Sequence, residues 1–202
     1  ITAVNALYTS GATDAASTIA LRGVTVAAAN KALRLAAFSG TLDISRGSIT
    51  SANQDAIYFS TTMDGAVTLG NVAVDGQGGS GVACNGDLGG TITIQRGTTA
   101  GGSGSGVRII TTMTSGKVAL KGGSVTGSSS GVKVIGAADA GSSLEIHGAT
   151  VTGGTDHGVH AVATFGGALT IAGGTVTAGG NALQFDANVG RTAAIFSRYF
   201  NL

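Results

Sequence analysis

The chain has 202 residues, with 11 Lys and Arg against 10 Asp and Glu, 36 Gly, no Pro and a formal net charge of +1. Charges this few and this balanced exclude the basic run expected of a nucleic-acid binder, and a hydrophobic share of 43% excludes disorder. Glycine without a strict three-residue period excludes collagen, and no stretch approaches the roughly 20 apolar residues of a membrane span.

Opening at Ile1 rather than Met, the chain reads as a processed or excised one. Its first residues, Ile1-Thr2-Ala3-Val4-Asn5-Ala6-Leu7-Tyr8, align with Ile49-Thr50 and Asp55-Ala56-Ile57-Tyr58 further on. The chain is therefore expected to begin inside the first strand of a repeating unit of about 25 residues.

Each unit predicts three short strands. The first carries an inward residue at Val26, Ile49, Val74, Thr99, Val125, Val151 or Val176, apolar in all but the Thr99 unit. The second reads Leu33-Arg34-Leu35, Ile57-Tyr58-Phe59, Val82-Ala83-Cys84, Val107-Arg108-Ile109, Val132-Lys133-Val134, Val159-His160-Ala161 and Leu183-Gln184-Phe185. The third closes the unit, as in Thr41-Leu42-Asp43-Ile44, Thr91-Ile92-Thr93-Ile94 and Ala168-Leu169-Thr170-Ile171. All alternate with period 2, the pattern of a strand with one buried face. Gly47, Gly97, Gly123 and Gly174 mark one corner of the unit, and Gly81, Gly106, Gly131 and Gly158 another.

Such units wind into an all-β, single-stranded parallel β-helix, stacking at about 4.8 Å per coil. One domain, 1–202, is expected, with eight coils at about 1–21, 22–44, 45–69, 70–94, 95–120, 121–146, 147–171 and 172–202. At the far end Ile195 marks a last closing segment, after which Phe196, Tyr199, Phe200 and Leu202 gather aromatic and apolar side chains in a chain poor in them. Solenoids normally cover their open end layers, and the sequence offers no cap. The expected assembly interface is Ile1, Thr2, Val4, Leu7 and Tyr8 on one face and Ile195, Phe196, Tyr199, Phe200 and Leu202 on the other, copies meeting head to tail. The competing readings are a fragment of a longer solenoid and a monomer plugged by its own aromatics.

Outward positions build surface rows. The second strand presents Tyr8, Arg34, Tyr58, Ala83, Arg108, Lys133, His160 and Gln184. Arg34, Tyr58, Arg108, Lys133 and His160 are the candidate ligand row, fit for a glycan or an acidic polymer, although a plain solvated face has the same pattern. Ser48, Thr50, Ser124, Thr126, Thr150, Thr152, Thr175 and Thr177 form a hydroxyl array that lapses at Ala73, Asp75 and Ala100. Hydroxyl ladders between strands explain it. Asp14, Asp64, Asp87 and Asp139 recur before the third strand. Asx-turns account for them as well as Ca²⁺ would, so no metal and no cofactor is assigned. Cys84 alternates with Val82 and points inward.

No catalytic residues are assigned. Gly102-Ser103-Gly104-Ser105-Gly106 precedes a strand and no helix, so it is a corner and no phosphate loop. Asp156-His157-Gly158 lacks the paired carboxylates a glycosidase needs. The runs Gly148-Ala149-Thr150-Val151-Thr152-Gly153-Gly154 and His157-Gly158-Val159 resemble autotransporter passengers of the pertactin-like adhesin kind, and more broadly the pectin-lyase-like solenoids. That resemblance covers nearly the whole chain and implies a right-handed β-helix.

The reading that follows is a secreted, non-enzymatic structural subunit, extracellular or on the cell surface, whose partner is itself. An adhesin or stalk segment of a longer surface protein, binding a surface glycan or cells, is the alternative, and a polysaccharide lyase or hydrolase the third.

Overall fold

The computed structural model describes residues 2–3, 6–190 and 193–196, with side chains described over 6–190. These residues wind into a parallel β-solenoid of about seven turns of roughly 25 residues, with no helix. One sheet stacks the eight short strands Leu7–Tyr8, Leu33–Leu35, Ile57–Phe59, Val82–Cys84, Val107–Ile109, Val132–Val134, Val159–Ala161 and Leu183–Phe185. Eight rungs bound seven intervals, so the expected count of eight coils is corrected to about seven turns, the outermost segments being partial ones.

A second, 14-stranded sheet carries the closing and opening strands, which run on as single strands in Thr18–Ala28 and Thr41–Ser51 and separate in later coils, as in Ala66–Gly70 and Ala73–Gly76. Register follows the sequence units. Thr2 lies opposite Ala27, which lies opposite Thr50, and Tyr8 opposite Arg34, which lies opposite Tyr58.

Between closing and opening strands the backbone turns through the left-handed region in every coil, at Gly23, Arg46, Asn71, Arg96, Gly122, Gly148 and Gly173, with φ between 52° and 71°. The predicted corner glycines Gly47, Gly97, Gly123 and Gly174 lie one residue later. At Gly97 the demand is for space: a Cβ there would lie 2.3 Å from the Val72 carbonyl oxygen.

The core contains one column that the strand pattern leaves out. Thr13, Phe38, Met63, Leu88, Met113, Ala138, Phe165 and Val189 form isolated parallel bridges through the turn between short and closing strands. Phe38, Met63, Leu88 and Met113 are fully buried. Asp64 and Asp139 follow this column whereas Asp87 precedes it, so Asp64 and Asp87 are not stacked equivalents. Asp139 Oδ1 accepts the Gly141 N–H two residues on, as in an Asx-turn, and also the Ser115 N–H of the coil before, whereas Asp87 Oδ1 accepts the Thr112 N–H of the coil after and so ties two coils together. Backbone hydrogen bonding, the Ser115 N–H first, holds the Asp139 carboxyl below its ordinary range. Cys84 is wholly buried between Phe59 and Ile109, and burial pushes its thiol up to about 12.

Thr99 stands between Val74 and Val125 in the opening-strand column, 1% exposed, with no hydrogen-bond partner for Oγ1. Valine has the same shape without the buried, unsatisfied hydroxyl. Thr99→Val is expected to raise stability by about 1–2 kcal/mol, read as a higher urea midpoint. An unchanged or lower midpoint would refute the account of this column.

Candidate functional site

The winding brings the predicted second-strand row into one register, Tyr8, Arg34, Tyr58, Ala83, Arg108, Lys133, His160 and Gln184 on successive rungs. Three-residue strands between turns leave these side chains sheltered: Arg34, Tyr58, Arg108, Lys133 and Gln184 are half-buried, Ala83 and His160 buried.

Arg34, Arg108, Lys133, His160 and Gln184 each meet a partner within the chain, although Arg34 Nε, Arg108 Nε and His160 Nδ1 are buried without a hydrogen-bond partner. The Arg34 guanidinium lies 5.1 Å from the centre of the Tyr8 ring, and Lys31 Nζ 4.5 Å from that of Tyr58. Arg108 reaches back across the coil where the row has only Ala83, placing Nη2 3.5 Å from Asp55 Oδ1. Asp55 Oδ1 also accepts the Ser80 N–H at 2.7 Å. A polar hollow of about 260 Å³ opens beside this pair, lined by Asn53, Gln54, Gly79, Ser103 and Arg108 among others.

Lys133 Nζ stands 3.8 Å from Asp156 Oδ2, which also receives the Ser129 hydroxyl at 2.6 Å. That hydroxyl bond first, and then the Lys133 charge, hold the Asp156 carboxyl below its usual range. His160 Nε2 lies 2.8 Å from Asp186 Oδ2, and its ring meets that of His157 edge-on at 4.5 Å. The Gln184 amide, donating to Asp186 Oδ1 at 2.7 Å, is the largest influence lowering the Asp186 carboxyl, followed by His160.

Ser129, Asp156 and His157 lie together here, without a hydrogen bond from the hydroxyl to an imidazole. The Ser129 hydroxyl donates to a carboxylate and to no imidazole, and His157 Nδ1 is taken up accepting the Asn181 N–H at 3.2 Å. Nucleophilic catalysis needs the hydroxyl on the base.

Of the predicted assembly residues, Leu7 is half-buried and Tyr8 is 54% exposed at one end of the stack. By backbone register Ile195 lies opposite Ile171, and Phe196 opposite Ala172. Ile1, Val4, Tyr199, Phe200 and Leu202 lie outside the described residues.

A set of residues the sequence reading passed over shares another edge. Arg46 and Arg96 occupy the left-handed corner column, with Arg22, Gln95, Lys121 and His147 in the column beside it. Nothing local signals this grouping, because its members are separated by whole units.

Among the described residues no three His, Cys, Asp or Glu side chains gather as a metal site, and no helix is long and apolar enough to cross a membrane. Comparison with protein-family models, with curated proteins and with solved structures returns no match.

Proposed function

We propose that the chain is a secreted, non-enzymatic structural subunit that stacks head to tail on copies of itself into an extracellular or cell-surface filament. The observation that supports this reading is the state of the two end layers. The inward columns stay apolar to the last rung, yet Leu7, Ile19, Leu21 and Val24 at one end and Ala182, Leu183 and Phe185 at the other are only partly buried. Their mid-rod equivalents, such as Ile57, Val82, Leu42 and Ile44, are fully buried.

Edge geometry supports the same reading. Thr9 N–H donates to Arg34 O and Leu7 N–H to Ala32 O, so alternation along the strand turns the Tyr8 amide to the open side. At the far end Asp186 N–H donates inward to Ala161 O, which turns the Leu183 and Phe185 amides outward. Among the described residues nothing pairs with either edge. A second copy would continue both ladder and core, and a contact of this heterologous kind propagates without closing. Kinship with autotransporter passengers belongs to this reading, as does the part assigned to Tyr199, Phe200 and Leu202 in meeting the entry at Ile1 and the face of Thr2, Val4, Leu7 and Tyr8 on the next copy.

Tyr8→Pro tests it. The substitution removes an N–H that makes no internal ladder bond and places a ring where the next copy would pair, at the cost of one exposed ring beside Arg34. Electron micrographs of the purified wild-type chain are expected to show rods of uniform width and unlimited length. The variant is expected to sediment as a monomer with unchanged circular dichroism. Wild-type chains that stay monomeric at every concentration, or variant rods as long as wild type, would overturn the proposal.

A further inference from the structure

The corner between closing and opening strands carries a basic strip that solenoid winding assembles from distant residues. Arg46 and Arg96 stand two rungs apart, about 9.6 Å at the stacking distance of parallel strands. Lys121 follows on the next rung, and Arg22 and His147 extend the line at either end. All five are exposed. Arg22 stands 3.5 Å from Asp43 and His147 3.7 Å from Glu145, but among the described residues no carboxylate pairs with Arg46, Arg96 or Lys121. The outward closing-strand row between Asp43 and Glu145 is uncharged, Thr68, Thr93 and Ala119, and Asp75 lies on the opening strand beyond the corner.

Backbone conformation sets the two arginines, with Asn71 between them at φ 52°, apart from the glycines of their column. Arg46 has φ 60° and Arg96 φ 54°, in a column that four other coils fill with glycine. Glycine takes this region freely and a long side chain does not. Local strain of this kind is retained where a side chain has work to do. Two hollows flank Arg46 along the rod, one of about 390 Å³ towards Arg22 and one of about 370 Å³ towards Asn71, Gln95 and Arg96.

We propose that this corner binds a linear anionic polysaccharide laid along the rod axis. Arg46, Arg96 and Lys121 take its carboxylate or sulfate groups, and Asn71 and Gln95 its hydroxyls. Guanidinium groups suit such oxyanions through paired N–H donors. Single-stranded nucleic acid is disfavoured, because neither hollow is lined by an aromatic ring and the strip has only the terminal His147, so successive bases would have no platform to stack on. The strip lies on the side of the rod and is complete within one chain, so the proposal stands independently of stacking.

The test is Arg46→Gly with Arg96→Gly, which removes both guanidinium groups and gives the corner the residue its conformation favours. Fluorescence anisotropy is read with labelled heparin and labelled polygalacturonate, at low and at physiological salt, against neutral dextran and single-stranded DNA. Wild type is expected to bind one or both anionic polymers with salt-dependent affinity. Binding to heparin alone assigns sulfate, and binding to both shows that carboxylate suffices. The double variant is expected to bind about tenfold or more weakly, with a shallower salt slope and a urea midpoint no lower than wild type. Equal binding by the double variant would overturn the proposal. So would absence of wild-type binding to both polymers, preference for DNA, or loss on Lys133→Gln alone, which would move the site to the short-strand row.

Discussion

Gly106→Val is expected to divide the rod into two units that unfold separately. Gly106 precedes the short strand Val107–Ile109 and lies beneath the opening strand of the next coil. A Cβ at this position would sit 2.5 Å from Val125 Cγ1, 2.8 Å from the Thr126 carbonyl oxygen and 2.9 Å from that of Gly131. Two of these three neighbours are backbone, so a rotation of the Val125 side chain would not by itself make room. Gly81, Gly131 and Gly158 meet Thr99, Val151 and Val176 in the same way, which makes this close approach a repeated joint of the solenoid.

Overpacking there costs about 3 kcal/mol or more. Solenoid stability is a sum of units and nearest-neighbour interfaces, so the loss falls on one interface. Urea unfolding should separate into two transitions, and limited proteolysis should release fragments that end near Gly106. Gly70→Ser is the contrast. The nearest neighbour of a Cβ there is Ser45 Cβ at 3.8 Å, ordinary contact, and a change within about 0.5 kcal/mol is expected. A single wild-type transition for Gly106→Val would mean that these glycines are not joints.

The parts of the fold legible in the sequence are those with a local period. Leu33-Arg34-Leu35 and Val132-Lys133-Val134 announce a strand with two residues in and one out, and their recurrence every 25 or so residues predicts which rungs face each other. The register of Tyr8, Arg34 and Tyr58 follows from that arithmetic alone. Features that depend on several coils at once were not legible. Whether Arg108 is a free cation or Asp55's partner depends on Ala83 leaving the intervening rung bare. Nor does composition reveal a basic strip whose members are a unit or two apart. The left-handed corner was masked for a related reason: glycine signals it in some coils, but Arg46, Asn71 and Arg96 take the same conformation in others.

The turn column hides for the opposite cause. Phe38, Met63, Leu88 and Met113 are single apolar residues among turn residues, with no neighbour at i+2 to form a pattern, and each supplies bulk that the short strands cannot. Phe38 is fully buried, bridges Thr13 and Met63, and its ring centre lies 5.8 Å from that of Phe59 at 51°. Gly65 packs on that ring so closely that a Cβ would sit 2.9 Å from Cδ1. Phe38→Ala is therefore expected to cost about 3–5 kcal/mol, because parallel ladders on both sides hold the surrounding backbone and keep it from collapsing into the cavity. Phe38→Met should cost about 1.5 kcal/mol or less, since methionine already occupies the same column at Met63 and Met113 and adapts to irregular space. Urea midpoints of the two variants decide the matter. If methionine proves as damaging as alanine, the column is held by the aromatic contact with Phe59 and not by bulk.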